Sequence, residues 1–393
     1  MTQNRTRQTV LLTGARAPVT LELARLFSAA GYGVVVADSL RCPLTRLSRA
    51  VDRYYRVPGP RKNALAFASA IRDIVRRHSI DLVVPTCEEV FHLSRHASSV
   101  ASFCACCFSD ASTLEQLHSK FAFNEWARSL GLPAPETERV EDADLLRARL
   151  RDPCGEWVLK PEYSRFGTQV LLRPTAAQVQ TLEVSADRPW VLQRFVPGTP
   201  FCTWSLAHHG TLVAHAAYSV RYTAGLASAI QFTSHEHPSV RNWVEQFVAA
   251  TRFHGQIAFD FIVDAKDVAY AIECNPRATS GIHLFSDQPA LAQAFFRSPP
   301  SPLSPTPGIS RMLAVPMLLH AFPKAIAAGH ALNCLREIAK SRDVVFRGSD
   351  PGPAFLLLPS FLEFALIAAR SKVSLLAATT DDIEFNGGRK CGS

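Results

Sequence analysis

Between Gly255 and Phe285 the chain reads G-Q-I-A-F-D-F-I-V-D-A-K-D-V-A-Y-A-I-E-C-N-P-R-A-T-S-G-I-H-L-F. Three oxygen-bearing side chains there, Asp260, Glu273 and Asn275, are spaced for joint work. Two apolar, β-prone runs, Gln256–Val263 and Val268–Cys274, flank a polar Asp-Ala-Lys-Asp turn, which is a hairpin signal. With Lys266 and Asp267 at the centre of the turn, Asp260 lies opposite Glu273, and directly opposed residues hold their Cβ atoms roughly 5 Å apart. Asn275, two residues beyond Glu273, points to the same face. Carboxylates placed so close repel unless a cation sits between them. An all-oxygen set that leaves room for phosphates suits Mg²⁺, or Mn²⁺ in its place. Arg277 follows as an anion partner for whatever the metal carries. Facing acidic residues also occur on solvated sheet faces. The frame of Ala258, Phe259, Phe261 and Ile262, and the E-x-N-P-R close, argue against that here.

Other elements must bring partners to this face. Trp157–Lys160 reads as a strand ending in Lys-Pro. The polar loop Glu162-Tyr-Ser-Arg-Phe-Gly-Thr168 follows, then a strand from Gln169 to Leu172. A Ser/Gly turn of this kind can offer backbone N–H groups to phosphate oxygens. Ser112-Thr-Leu-Glu115 is a capping-box pattern that opens a helix to Leu130 and carries Lys120. Trp190–Phe195 is a further strand, and Leu206–Gly210 with Thr211–Ala217 form a hairpin around His208-His209-Gly210. Pro238–His254 is a helix leading into the central hairpin.

The first hundred residues alternate strand and helix. Val10–Leu12, Val34–Ala37, Asp81–Val84 and Ala101–Phe108 are strands, and the segments after Pro18 and Ala64 are helices. That pattern means a doubly wound, parallel α/β domain. Sites in such sheets lie at the carboxyl ends of the strands, which points to Gly14, Asp38, Thr86, Glu88 and Ser109. Gly14 lacks the second and third glycines of a dinucleotide turn, so a nicotinamide-dependent oxidoreductase is a lesser reading. Cys104, Cys106 and Cys107 lie in an apolar run without zinc spacing.

The chain has 393 residues, is 47% hydrophobic and carries a formal charge of +8 spread over scattered arginines. Length allows two or three domains. Scattered arginine fits small anions such as nucleotides, and no basic stripe interleaved with aromatics marks a nucleic-acid binder. The polar start carries no signal-peptide pattern, so a cytoplasmic location is expected. Ala354–Ala369 is apolar but too short to span a membrane and is expected to be a buried helix. The acidic run Asp381-Asp382-Ile-Glu384 is either surface or folds back towards the site.

The order of these features resembles the ATP-grasp superfamily, which includes biotin carboxylase, carbamoyl phosphate synthetase and D-alanine–D-alanine ligase. The likeness runs from about Val10 to Phe285, and its most specific part is Asp260…Glu273-Cys-Asn275-Pro-Arg277. It implies an N-terminal Rossmann-like α/β domain over residues 1–110 and a two-lobed ATP-grasp domain over 111–297. Within the latter, 111–155 is a linking helical part, 156–210 a small lobe with hinge and 211–297 a large lobe with the magnesium site. A Pro-rich linker at 298–310 and a helical C-terminal extension at 311–393 complete this α/β and α+β chain. The resemblance makes Asp260, Glu273 and Asn275 the metal ligands. It makes Lys120, Lys160, Ser164, Arg165 and Gly167 the phosphate-facing set, and Gln193, Phe195 and Val196 the adenine hinge. Gln193 stands where a glutamate is usual, and Pro200 where a ribose-binding glutamate is common. Arg277 and Lys160 become the catalytic cations. Arg221, Thr279, Ser280, His283 and Glu88 are substrate candidates. The implied activity is an ATP- and Mg²⁺-dependent ligase joining a small-molecule carboxylate to an amine through an acyl phosphate. A non-catalytic ATP-binding regulator is the alternative, and oligomerisation is left open.

Overall fold

A computed structural model describes residues 7–150, 156–165, 167, 169–224 and 228–387. Phe166 and Thr168 of the Ser/Gly loop, residues 1–6 and the end of the chain from 388 lie outside the described residues.

Five short parallel strands open the chain: β1 (Thr9–Thr13), β2 (Gly33–Asp38), β3 (Arg53–Arg56), β4 (Leu82–Val84) and β5 (Ala105–Cys106), in the order β3-β2-β1-β4-β5. The apolar runs of β1, β2 and β4 are buried on both faces, as a sheet covered by helices requires, while the edge strands β3 and β5 are partly exposed. Pro18 sits at the first helical position of Pro18–Ala29, and Asn63 caps Ala64–His78 by accepting from the Ala66 N–H. The strand expected over Ala101–Phe108 shrinks to two residues, and Ser98–Ala101 is helical instead. The end of that run packs on another domain element. A Cβ on Gly255 (φ +114°) would lie 2.9 Å from the Cys107 carbonyl oxygen, so the backbones meet where only glycine fits.

The helix expected from Ser112 to Leu130 is two helices, Ala111–His118 and Lys120–Ser129, broken at Ser119, whose ψ is 117°. The expected capping box does not form. Asp110 caps the first helix through the Thr113 N–H, and the Ser112 hydroxyl donates to Asp110. Ser119 caps the second by accepting from the Ala122 N–H. Lys120 thereby becomes the first residue of a helix.

An antiparallel sheet of β6 (Thr137–Val140), β7 (Trp157–Pro161), β8 (Leu171–Leu172) and β9 (Trp190–Arg194) has the order β6-β9-β7-β8. The larger sheet contains β10 (Thr199–His208), β11 (Thr211–Ala224), β12 (Ser228–Ser234), β13 (Gly255–Val263), β14 (Ala269–Asn275), β15 (Ser310–Met312) and β16 (Arg342–Asp343). Its order is β14-β13-β10-β11-β12-β15-β16. The β10–β11 hairpin turns on His209 and Gly210, both at positive φ, as a tight two-residue turn demands. Phe259 and Phe261 alternate with Asp260 and point to the opposite face. There they pack with Phe123, Trp243 and Phe247, and this aromatic cluster fixes helices Lys120–Ser129 and Pro238–Thr251 behind β13.

The Pro-rich stretch lies along the large sheet, because the Leu303 N–H donates to the Val213 carbonyl and the His215 N–H to the Leu303 carbonyl, each at 2.9 Å. β15 and β16 then extend the same sheet, so the C-terminal region is not helical alone. The helix Leu357–Ser371 is not buried as expected: Leu358, Phe361, Leu362 and Leu366 are exposed. Its carboxylate, Glu363, is the anchoring group and accepts from the backbone N–H groups of Arg41 and Cys42. Among the described residues no helix is long and apolar enough to cross a membrane.

Candidate active site

Asp260 and Glu273 stand directly opposite each other on β13 and β14, but the turn does not put them there alone. Near the turn the pairs are Val263 with Ala269 and Phe261 with Ala271. One residue later Asp260 pairs with Glu273. Ile272 is therefore the extra residue of a β-bulge, a device that re-aims side chains and frees ladder groups. The freed Ile272 carbonyl accepts from Lys160 Nζ at 3.0 Å and from Gln193 Nε2 at 3.4 Å.

Lys160 comes from β7 and Gln193 from β9, diagonal neighbours across the small sheet. Lys160 Nζ also donates to Gln193 Oε1 at 3.0 Å, and Gln193 Nε2 to Thr137 Oγ1 at 3.1 Å. The amide oxygen expected to face adenine thus holds a lysine in this structure. Lys120 enters from the other side, 3.4 Å from Glu273 Oε1, and donates to the Ser164 carbonyl at 3.3 Å. The loop backbone, the two lysines and the carboxylate pair form one cluster.

Burial and charge act together on these groups. Burial and the neighbouring Glu273 push the Asp260 carboxyl up to about 6. Burial also pushes Glu273 up, but Lys120 and Lys160 outweigh it and hold that carboxyl below its ordinary value. Burial, helped by Lys120, brings Lys160 down to about 8. Two half-buried carboxylates that resist joint ionisation fit a divalent cation, whose charge removes the repulsion. Asp260 and Glu273 could hold Mg²⁺. The Asn275 side-chain oxygen accepts from Arg277 Nη2 at 3.2 Å, which brings Arg277 to the same end.

Other expected residues fall elsewhere. His283 is buried and donates through Nδ1 to Glu22 at 3.1 Å, and Glu22 also takes Arg347 at 2.6 Å. This is an internal link between helix Pro18–Ala29 and the C-terminal region. Arg221 pairs with Glu337 on the C-terminal helix Ala331–Lys340 at 2.8 Å. The Thr279 hydroxyl donates to the Thr203 carbonyl at 3.4 Å, and Ser280 starts the short helix Ser280–Phe285. Glu88 is buried against Arg165, so Arg165 faces carboxylates here. Phe195 lies under the Arg173 guanidinium at 4.4 Å, beside Val196. Gly167 takes a positive φ of 60°.

The sequence reading passed over Cys202 and His118. Cys202 pairs with Asp260 across β10 and β13, which sets its thiol beside the carboxylate, where it favours the ionised form. His118 lies near enough to Glu273 for its charge to matter there. Neither carried a signal, because both reach the carboxylates through pairings far apart in the chain.

This combination of a parallel α/β domain, a small antiparallel sheet bearing a lysine, and a larger sheet with paired acids at its edge has solved counterparts. A carboxyaminoimidazole ribonucleotide synthase from Aspergillus clavatus, complexed with ATP, matches with a TM-score of 0.59 at 14% identity, over 78% of this chain and 81% of that one. The chain has an ATP-grasp fold. The biotin carboxylase domain of Hydrogenobacter thermophilus 2-oxoglutarate carboxylase, in complex with MgADP, ADP and bicarbonate, gives a TM-score of 0.57 at 13% identity over 75% and 71% of the two chains. An L-amino acid ligase from Bacillus licheniformis gives 0.53 at 13% over 71% and 69%. No family model and no curated protein sequence matches the chain.

Proposed function

We propose that this protein is an ATP- and Mg²⁺-dependent ligase that activates a carboxylate as an acyl phosphate and joins it to an amine, releasing ADP and phosphate. The observation that carries this reading is the opposed, half-buried pair Asp260 and Glu273, with the buried Lys120 and Lys160 against them. A carboxylate is a poor electrophile because it is anionic and would have to expel oxide. Moving the γ-phosphoryl group of ATP onto it supplies phosphate as the leaving group. The attacking carboxylate and the triphosphate repel each other, and fixed cations lower that cost most where charge gathers on the transferring group. Mg²⁺, held by Asp260 and Glu273 with Asn275 turned to it, would supply charge neutralisation at the phosphates. Lys160 and Lys120 would bind the phosphate oxygens, and Arg277 would steady the transferred group. The loop around Ser164 would close over them to keep water from the acyl phosphate. Phe195 and Val196 would line the adenine side.

The test is ADP release from MgATP with pooled carboxylates and amines, read beside nucleotide-induced shifts in Tm. Turnover with any pool supports the proposal. No ADP from any pool together with no nucleotide shift ends it. One observation favours a second reading, an ATP-binding regulator without turnover: the Gln193 amide oxygen is committed to Lys160, and Pro200 of β10 pairs with Ile262 of β13. That reading expects a nucleotide shift and no product.

A further inference from the structure

The C-terminal residues Asp381–Gly387 fold back over the carboxyl ends of the first sheet. Asp382 meets the Arg16 guanidinium at 2.5 and 2.9 Å and takes the Ser39 hydroxyl, and its carbonyl accepts from the Arg61 N–H at 2.9 Å. Arg61 Nη1 reaches Asp381 and Glu384, each at 2.8 Å. Glu384 meets Arg165 Nη1 at 2.5 Å. Arg165 also donates to the Phe385 carbonyl at 2.8 Å. Three arginines, two from the N-terminal domain and one from the Ser/Gly loop, are thus engaged by three carboxylates of one short tail.

The same segment closes the crevice where open α/β sheets bind ligands. Ile383 joins Gly14, Arg16, Asp38, Ser39 and Glu89 around a small cavity there. Phe385 stacks on Phe91 with ring centroids 5.0 Å apart, and its N–H donates to the buried Glu88. His92 donates to the Ile383 and Glu384 carbonyls at 3.2 Å, and His118 to the Phe385 carbonyl at 2.9 Å. Arg277 is close enough to bear on the charge of Glu88. The tail is therefore held both on the arginine set and on Glu88, which lies within the electrostatic reach of Arg277. Its own acids remain about a quarter exposed or less, at 22%, 21% and 25% for Asp381, Asp382 and Glu384.

We propose that Arg16, Arg61 and Arg165 form the binding site for a small ligand bearing two or more carboxylate or phosphate groups, and that Asp381, Asp382 and Glu384 occupy it as internal stand-ins until such a ligand displaces the tail. Guanidinium forks recognise both anions in the same bidentate way. Identifying that ligand with the second substrate rests on the ligase reading; displacement of the tail does not.

Hydrogen–deuterium exchange on the unmodified full chain tests this without nucleotide. Citrate and inorganic pyrophosphate are added separately, against sodium chloride at matched ionic strength. Exchange over Ile383–Phe385 is expected to quicken at least tenfold with one or both, and which of them acts reports whether carboxylate or phosphate is preferred. The triple variant D381N/D382N/E384Q, which keeps the tail's length and its apolar anchors, is expected to bind the active anion at least tenfold more tightly. Tail exchange that neither anion alters in the unmodified chain overturns the proposal, whatever the variant does. A nucleotide shift in Tm without any effect of these anions would leave the ligase reading standing and remove this one.

Discussion

Lys120 opens a helix, the end at which the helix dipole disfavours a cation. Its position makes sense only through Glu273, 3.4 Å away, and through the loop carbonyls it holds. Glu273→Gln keeps the shape and removes the charge that balances both lysines. We expect turnover to fall by about 10²–10³ or more, the scale of losing one preorganised electrostatic partner, with Tm changing by only a few degrees. An unchanged kcat would place the metal elsewhere. His118 belongs to the same scale. Burial holds its imidazole down to about 4, while Glu88 pulls the other way. The unfolded chain therefore takes up this proton first as pH falls. The stability His118 contributes is complete above about pH 6.5 and is lost towards pH 4, on the order of 3 kcal/mol. His118→Gln, which retains a donor for the Phe385 carbonyl, should flatten that part of the profile in urea unfolding. A slope as steep in the variant would assign the effect to the other buried histidines, His215 and His254, whose values are also lowered.

Among elements, the bulge at Ile272 sets the site. Without it, pairing continued from Phe261 and Ala271 would bring Ile272, not Glu273, opposite Asp260. The bulge also supplies the carbonyl that positions Lys160. Deleting Ile272 keeps Glu273 beside Asp260 and takes that acceptor away. The expected result is a folded protein, by far-UV circular dichroism, whose Tm no longer responds to MgATP. An undiminished response would show that Lys160 is held by Gln193 alone. The connection between the small sheet and β10 has its own constraint at Gly198. A Cβ there would come within 2.2 Å of the Val263 carbonyl oxygen. Gly198→Ala should cost about 1–3 kcal/mol in unfolding free energy, the range for overpacking a tight backbone contact. Thermal denaturation measures it.

Across the whole molecule, buried ion pairs tie the C-terminal region to the N-terminal domain. Glu22 receives His283 and Arg347, and Arg25 meets Asp350 at 2.9 Å. We expect His283 to work in the frame rather than on a substrate. His283→Asn is expected to lower Tm while leaving KM for ATP and kcat within about twofold of the parent, since additivity holds for sites without shared partners. A large fall in kcat at unchanged Tm would return His283 to the active site.

Although the register that sets Asp260 opposite Glu273 needs the bulge at Ile272, the hairpin that carries both acids, and the alternation that turns Phe259 and Phe261 away from Asp260, follow from period-2 strands and a short polar turn. These are local properties, and the sequence alone carries them. The apolar strands of the first sheet and the Pro18 helix start are legible for the same reason. What the chain could not announce is anything decided by contacts between distant segments. Ser119 breaks a helix that local capping rules would continue, because Ser119 and Lys120 are claimed by Glu162 and the Ser164 loop. Cys202 and His118 reach the carboxylates only after β10 and the split helices are in place. The acidic tail allowed two readings, and its local sequence favoured the surface over a return to the site. Only the tertiary structure, by setting Arg16, Arg61 and Arg165 around one crevice, provides the opposing charge that brings it home.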